Sequence, residues 1–341
     1  MTISAFISGC EGLFLNEDEK RFLKDANPWG FILFGRNVDT PEQVEALVAS
    51  FRECVGRSEA PVLIDQEGGR VQRLRPPHWP FYPPGAVFGT LESEFPGEGK
   101  RAAFLGGRLL AYDLLSLGIN VDCLPVLDVP VPNTTKAIGD RAYSPDPVTV
   151  SQLGGAAADG ALAGGVLPVI KHLPGHGRAL VDSHLDLPRV SASENDLALH
   201  DFAAFKPLKN YPMGMTAHVV YESIDSTQPA TLSRKVIQTI IREQIGFTGL
   251  LMSDDVSMGA LQSPMGERTA AAISAGCDIV LHCNGVMEEM LAVAANVPSL
   301  AGEAEKRAKH ALSCCVAPGE FDSIAARIEF DAFMTKAGWG A

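Results

Sequence analysis

Eight short apolar runs punctuate the chain, each closing on polar or glycine residues before a stretch of helical periodicity. They predict strands at Ser4 to Ser8, Gly30 to Phe34, Pro61 to Ile64, Asn120 to Leu124, Leu167 to Ile170, Gly214 to Ala217, Gly249 to Met252 and Asp278 to Leu281. Apolar side chains at consecutive positions suit strands buried on both faces, as in a parallel sheet. Between them, apolar residues recur at helical spacing over Glu17 to Asp25, Pro41 to Cys54, Lys100 to Leu117, Pro147 to Ala163, Glu194 to Leu208, Leu232 to Gln244 and Gly266 to Ala275. Parallel neighbours need a crossover of about a dozen residues or more, which these helices supply. Eight such units predict an α/β fold of the (β/α)8 TIM-type barrel class. A doubly wound open sheet has the same periodicity and stays open as an alternative, although no GxGxxG follows the first strand and no GxxxxGK[ST] occurs.

Beyond Leu281 lie two more helical stretches, Val286 to Ala295 and Glu303 to Cys315, then a tail from Phe321. They read as barrel closure and packing, so residues 1–341 are expected to form one barrel domain with a C-terminal helical extension and no second α/β domain. No low-complexity linker, internal repeat or charge block divides the chain.

Composition narrows the function classes. With 46% hydrophobic and 20% charged residues the chain has ample material for a large core. A net charge of -13 repels phosphate backbones and anionic lipid, so neither nucleic acid nor a membrane is expected as partner. Seven cysteines, Cys10, Cys54, Cys123, Cys277, Cys283, Cys314 and Cys315, show no zinc or disulfide-framework spacing, which fits reduced thiols and a cytoplasmic location. Ile7-Ser8-Gly9-Cys10 imitates a lipoprotein cleavage box, but no Lys or Arg precedes it and the apolar stretch is too short for a signal segment.

Chemistry gathers just past the strands: Asp65 after the third, Asp128 beyond the fourth, Lys171 and His172 after the fifth, His218 after the sixth, Asp254 after the seventh. Any one of these residues suits a helix cap or a solvated loop. Convergence from five strands points instead to the C-terminal face of a barrel, where βα loops build active sites. The fifth loop is the richest, with Lys171-His172-Leu173-Pro174-Gly175-His176-Gly177 followed by Asp182-Ser183-His184. Asp182 stands two residues from His184, close enough to accept from one imidazole nitrogen and orient the other as a proton shuttle. The seventh strand delivers Ser253-Asp254-Asp255, and strand alternation implies that only one of the two carboxylates faces the pocket. A carboxylate there suits attack on an anomeric carbon. Ile64-Asp65-Gln66-Glu67-Gly68-Gly69-Arg70-Val71-Gln72-Arg73 adds a carboxylate and guanidinium groups able to hold sugar hydroxyls through charge-assisted hydrogen bonds.

Taken together, IDQEGGRVQR, PVLDV at Pro125 to Val129, IGDRAYS at Ile138 to Ser144, KHLPGHG with DSH, MTAHVVY at Met215 to Tyr221 and the block from Ile240 through Ser257 resemble glycoside hydrolase family 3. Within it the chain is similar to the single-domain bacterial β-N-acetylglucosaminidases of peptidoglycan recycling. The resemblance implies Asp254 as nucleophile, His184 with Asp182 as general acid and base, and Asp65, Arg73, Arg141, Lys171 and His172 as sugar-binding residues. It implies a retaining hydrolysis with no cofactor and no metal, acting on N-acetylglucosamine linked to anhydro-N-acetylmuramic acid, with or without its stem peptide. Two other readings remain: a metal-dependent barrel hydrolase using His172, His176, His184, His218 and Asp254, and a non-catalytic muropeptide-binding protein.

Overall fold

The computed structural model describes residues 2–132, 136–181 and 186–340. Eight parallel strands close into a barrel: β1 (Ser4–Ser8), β2 (Pro28–Leu33), β3 (Val62–Ile64), β4 (Val121–Asp122), β5 (Leu167–Leu173), β6 (Met213–Thr216), β7 (Leu250–Asp255) and β8 (Ile279–His282). Each pairs with its neighbours in sequence, and β8 returns to β1 through Phe6 opposite Val280, so the open-sheet alternative is excluded. Ile7, Ser8 and the buried Cys10 therefore belong to the first strand and its exit.

Side chains alternate along the strands as a barrel demands. Ile7, Ile32, Leu63, Val169, Met213, Met252 and Leu281 fill the barrel interior, while Phe6, Phe31, Leu33, Ile64, Ile170 and Val280 pack outward against the helical layer. In that layer Phe31 stacks on Phe51 at 4.7 Å between ring centres.

The helices start and stop where local chemistry dictates. Asn16 caps α1 (Glu17–Ala26) in a reciprocal box with Glu19, and Thr40 with Pro41 opens α2 (Pro41–Val55), which Gly56 ends in the left-handed region. α3 (Gly85–Glu94), which the apolar pattern misses, precedes α4 (Glu98–Ser116). α4 crosses α5 (Pro147–Ala163) at backbone contact, because a Cβ on Gly107 would strike the Ala157 carbonyl and one on Gly160 the Phe104 carbonyl.

Two expected helices differ. Glu194 to Leu208 breaks into α6 (Glu194–Leu199) and two 3-10 turns, Phe202–Ala204 and Lys206–Leu208. Pro207 has no N–H to continue a ladder, and the buried Asp201 carboxylate is held by Arg178 at 2.6 Å. The helix expected from Leu232 winds over Val236–Ile245 as a π-helix.

α7 (Met265–Ala275) joins β7 to β8, and after β8 the helices α8 (Met287–Ala294) and α9 (Gly302–Ser313) complete the outer ring. The tail from Phe321 becomes α10 (Ser323–Lys336), which lies on α4 through buried Phe330 and the Arg101–Glu329 and Lys336–Glu98 ion pairs. All seven cysteines are thiols. Among the described residues no helix is long and apolar enough to cross a membrane.

Candidate active site

A cavity of about 240 Å³ opens at the C-terminal ends of the strands. Asp65, Arg73, Arg141, Lys171, His172 and Asp254, predicted from four separate stretches of sequence, all line it. Asp182 and His184 lie outside the described residues.

One side of the cavity is a network of paired charges. Asp65, just past β3, accepts from Lys171 Nζ and from Arg73, both at 2.9 Å. Lys171 Nζ also contacts Glu67 at 2.6 Å, and Glu67 receives Arg141 through two hydrogen bonds of 2.7 and 2.8 Å. Burial alone would raise both carboxyls, but the neighbouring cations override it. Lys171 and Arg73 hold Asp65 well below the usual carboxylate range, and Arg141 with Lys171 holds Glu67 at about 2. The same pairing keeps Lys171 protonated against its burial.

Local structure explains why these groups meet. The segments Gln66–Gly68 and Val71–Gln72 pair as a tight antiparallel hairpin whose turn needs Gly68 at φ 99°; a Cβ there would run into the Pro83 carbonyl. Arg70 donates to the Lys136, Ala137 and Ile138 carbonyls and pairs with Asp140, which ties down the loop that presents Arg141. The Arg73 guanidinium lies over the Phe34 ring, itself part of the cavity wall.

Behind this layer, Asp128 is wholly buried. It accepts the backbone amides of His172 and His176 at 3.2 and 2.6 Å, and its second oxygen meets His172 Nδ1 at 2.6 Å. That bond places a proton on Nδ1 and fixes the ring. Burial would raise the Asp128 carboxyl, but His172 and His176 bring it down to about 2. His176 also lines the cavity, and burial lowers its imidazole to about 4, so the ring is neutral near pH 7.

The far side is the tip of β7. Between Met252 opposite Ile279 and Asp255 opposite Leu281, β7 advances three residues while β8 advances two, a β-bulge. Ser253 fills the defect by accepting the Leu281 amide at 2.9 Å. The extra residue breaks the alternation, so Asp254 and Asp255 both line the cavity, contrary to the expectation that only one would. They are not equivalent. Asp255 spends its oxygens on the Ser257 amide and hydroxyl and the Cys283 amide, at 2.6 to 3.1 Å. Asp254 accepts the Asp255 amide through Oδ1 at 2.8 Å. β5 has a matching irregularity: Ile170 to Leu173 spans three residues against two in β6, which lets Lys171 and His172 both reach the cavity.

His218 does not line the cavity. It is fully buried, with Nδ1 at 2.7 Å from Thr231 Oγ1 and Nε2 at 2.9 Å from the Asp255 carbonyl, so neither ring nitrogen is available to a metal. Among the described residues no group of three or more His, Cys, Asp or Glu is placed to hold a metal ion.

Sequence reasoning did not single out Glu67 or, outside the metal reading, His176 as pocket residues. Glu67 carried a signal: it sits two residues after Asp65, the spacing that returns a side chain to the same side of an extended segment.

The model of the glycosyl hydrolase family 3 N-terminal domain matches residues 8–313. A β-hexosaminidase of Thiobacillus denitrificans is 38% identical over 290 residues, covering 83% of this chain and 79% of that one. The structure of NagZ from Neisseria gonorrhoeae in complex with N-trifluoroacetyl-D-glucosamine aligns with a TM-score of 0.84 at 30% identity, over 99% of this chain and 98% of that chain. A glycoside hydrolase family 3 β-N-acetylglucosaminidase from Paenibacillus sp. aligns with a TM-score of 0.85 at 26% identity, over 98% of this chain and 67% of that chain. A match across the whole barrel, and relatives alike in sequence as well as in fold, lead to one conclusion: the chain belongs to glycosyl hydrolase family 3 and stands there with the β-hexosaminidases.

Proposed function

We propose that this glycoside hydrolase is a retaining β-N-acetylglucosaminidase that removes terminal N-acetylglucosamine from peptidoglycan-derived muropeptides in the cytoplasm. The observation that carries the reading is the meeting, in one cavity, of the Asp254 carboxylate with the Asp65, Glu67, Arg73, Arg141, Lys171 network. That network offers fixed, charged hydrogen-bond partners suited to sugar hydroxyls. The relatives' names supply the sugar class, and seven unpaired thiols support the location.

In the first step an Asp254 oxygen attacks the anomeric carbon while His184, protonated and oriented by Asp182, donates its proton to the departing glycosidic oxygen. In the second step neutral His184 takes a proton from water, the water oxygen bonds to the anomeric carbon, and the Asp254 carboxylate leaves. The aglycone proposed is anhydro-N-acetylmuramic acid, with or without its peptide.

The deciding experiment is covalent trapping with a fluorinated N-acetylglucosamine donor followed by peptide mapping. The label is expected on Asp254, and a label on another residue rejects the nucleophile assignment. For the acid, His184→Ala should slow an unactivated disaccharide about 10²-fold or more, yet barely affect a substrate with a good leaving group, which needs little proton assistance. Equal losses on both substrates reject the acid role. Binding of a muropeptide with no turnover would favour the non-catalytic reading instead.

A further inference from the structure

Thr216 ends β6, His218 follows two residues on, and Thr231 sits in the 3-10 turn Ala230–Leu232; all three are fully buried, and none lines the cavity. The ladder between β6 and β7 stops at Met215 opposite Met252, so beyond it the backbone at Asp254 and Asp255 has no strand partner on that side. Side chains take over. The Asp254 amide donates to Thr216 Oγ1 at 3.3 Å, Thr216 Oγ1 lies 2.8 Å from Thr231 Oγ1, Thr231 Oγ1 lies 2.7 Å from His218 Nδ1, and His218 Nε2 lies 2.9 Å from the Asp255 carbonyl.

Donor and acceptor roles follow from chemistry. A carbonyl only accepts, so Nε2 carries a proton; in the neutral ring Nδ1 then accepts from the Thr231 hydroxyl. Thr231 in turn accepts from Thr216, whose remaining lone pair receives the Asp254 amide. The bonds run in one direction and form a closed loop, leaving the Asp254 amide and returning to the Asp255 carbonyl. The Thr231 hydroxyl has one other outlet, the Ala217 carbonyl, at a longer 3.1 Å. A buried polar chain this fully paired rigidifies what it holds.

We propose that Thr216, Thr231 and His218 are positioning residues that fix the bulged backbone of β7 and so aim the Asp254 carboxylate at the anomeric carbon. The inference rests on the reading of Asp254 as nucleophile. A misaimed nucleophile loses rate while the charge network opposite still binds the sugar, so the relay acts on kcat and not on affinity.

Thr216→Val removes the hydroxyl at similar shape, and Thr216→Ser restores it. On 4-nitrophenyl N-acetyl-β-glucosaminide, Thr216→Val is expected to lower kcat about 10- to 100-fold and to slow fluorosugar trapping in parallel. N-acetylglucosamine affinity by calorimetry should stay within about twofold, and Thr216→Ser should return kcat to within about threefold of the parent. Thr231→Val should behave like Thr216→Val, and the double variant should lose little more than either, because one missing link already opens the loop. Thr231→Val alone also serves as the second test if Thr216→Val folds poorly. A kcat kept within about twofold in both Val variants overturns the proposal, as do equal losses of kcat, affinity and melting temperature that Thr216→Ser fails to restore. Asp254→Asn separates the two claims: if it is inactive while the Val variants are fully active, only the relay fails; if it turns over normally, the nucleophile reading fails first.

Discussion

Asp65 and Asp278 are both aspartates gripped by two cations, at opposite ends of the same barrel. Asp65 lies past the C-terminal end of β3 with Lys171 and Arg73; Asp278 lies just before β8, with Arg242 at 2.8 Å and Arg307 at 2.8 Å. At the lower end the chemistry is directed inward at the protein's own backbone. Arg242 also donates to the Phe247 and Gly249 carbonyls, and Asp278 accepts the Leu251 amide, so the pair staples the entry of β7 to that of β8. At the upper end the same ion-pair chemistry leaves its edges on a cavity. Position along the strand therefore decides whether a buried charge cluster is spent on the protein's own backbone or borders the cavity, which is the division expected of this architecture. The contrast also divides one stretch of sequence: in the block from Ile240 through Ser257, Arg242 is a structural staple and Asp254 a pocket carboxylate.

The contrast is best broken by exchanging effects. Asp65→Ala is expected to lower kcat/KM on an aryl N-acetylglucosaminide about 10³-fold, because it strands buried donors that a sugar hydroxyl would have shared with the carboxylate. A value near the parent's would reject the recognition role proposed for the upper cluster. Asp278→Ala should instead destabilise the fold by about 3–5 kcal/mol, the usual result of leaving buried partners of a charge unpaired, while the folded fraction keeps its kcat/KM. Denaturant titration and kinetics on one preparation read both quantities, and a catalytic loss without a stability loss would erase the distinction.

pH sharpens the comparison further. Burial holds the His176 imidazole at about 4, below the 6.5 at which the unfolded chain's ring takes a proton. Between those values the unfolded state binds more protons, so this contribution is complete above about pH 6.5 and is lost as pH falls toward 4. The carboxyls of Glu67 and Asp128, held at about 2, lose theirs only below the ordinary carboxylate range. The melting temperature should thus fall between pH 7 and 5, and His176→Phe should flatten that segment by an amount on the order of 2 kcal/mol. An unchanged slope in His176→Phe would assign the fall to other groups. The smallest effect is expected from Ser253→Ala, which leaves the Leu281 amide in the bulge without its acceptor. It should cost about 1–2 kcal/mol in urea denaturation, and a neutral result would mean that the bulge holds without it.

Much of the fold was legible because barrel strands are buried on both faces and helices carry their own end signals. α5 runs over Pro147–Ala163 as its periodicity and the Asp146-Pro147 start require. Less legible were segments whose shape depends on distant groups. The stretch after Leu199 breaks where Asp201 turns to Arg178, and α3 has no side-chain cap to announce it. At the site, residue types and strand ends revealed Asp65, Lys171, His172 and Asp254, and family resemblance added Arg141. Glu67 carried only its two-residue spacing from Asp65, inside a hairpin whose register the sequence does not display, and His218 was misplaced because a residue just past a strand can turn under the mouth as easily as into it.

The sequence alone determined the eight βα units, the end of the barrel that carries the polar groups and the chemical types gathered there, since periodicity, breaker residues and side-chain chemistry are local properties. Tertiary structure decided which of those groups share a cavity, which saturate one another and which merely support. Those outcomes depend on two β-bulges and on contacts between residues as far apart as Asp65 and Lys171, and strand alternation read along one segment cannot report a residue inserted against its neighbour.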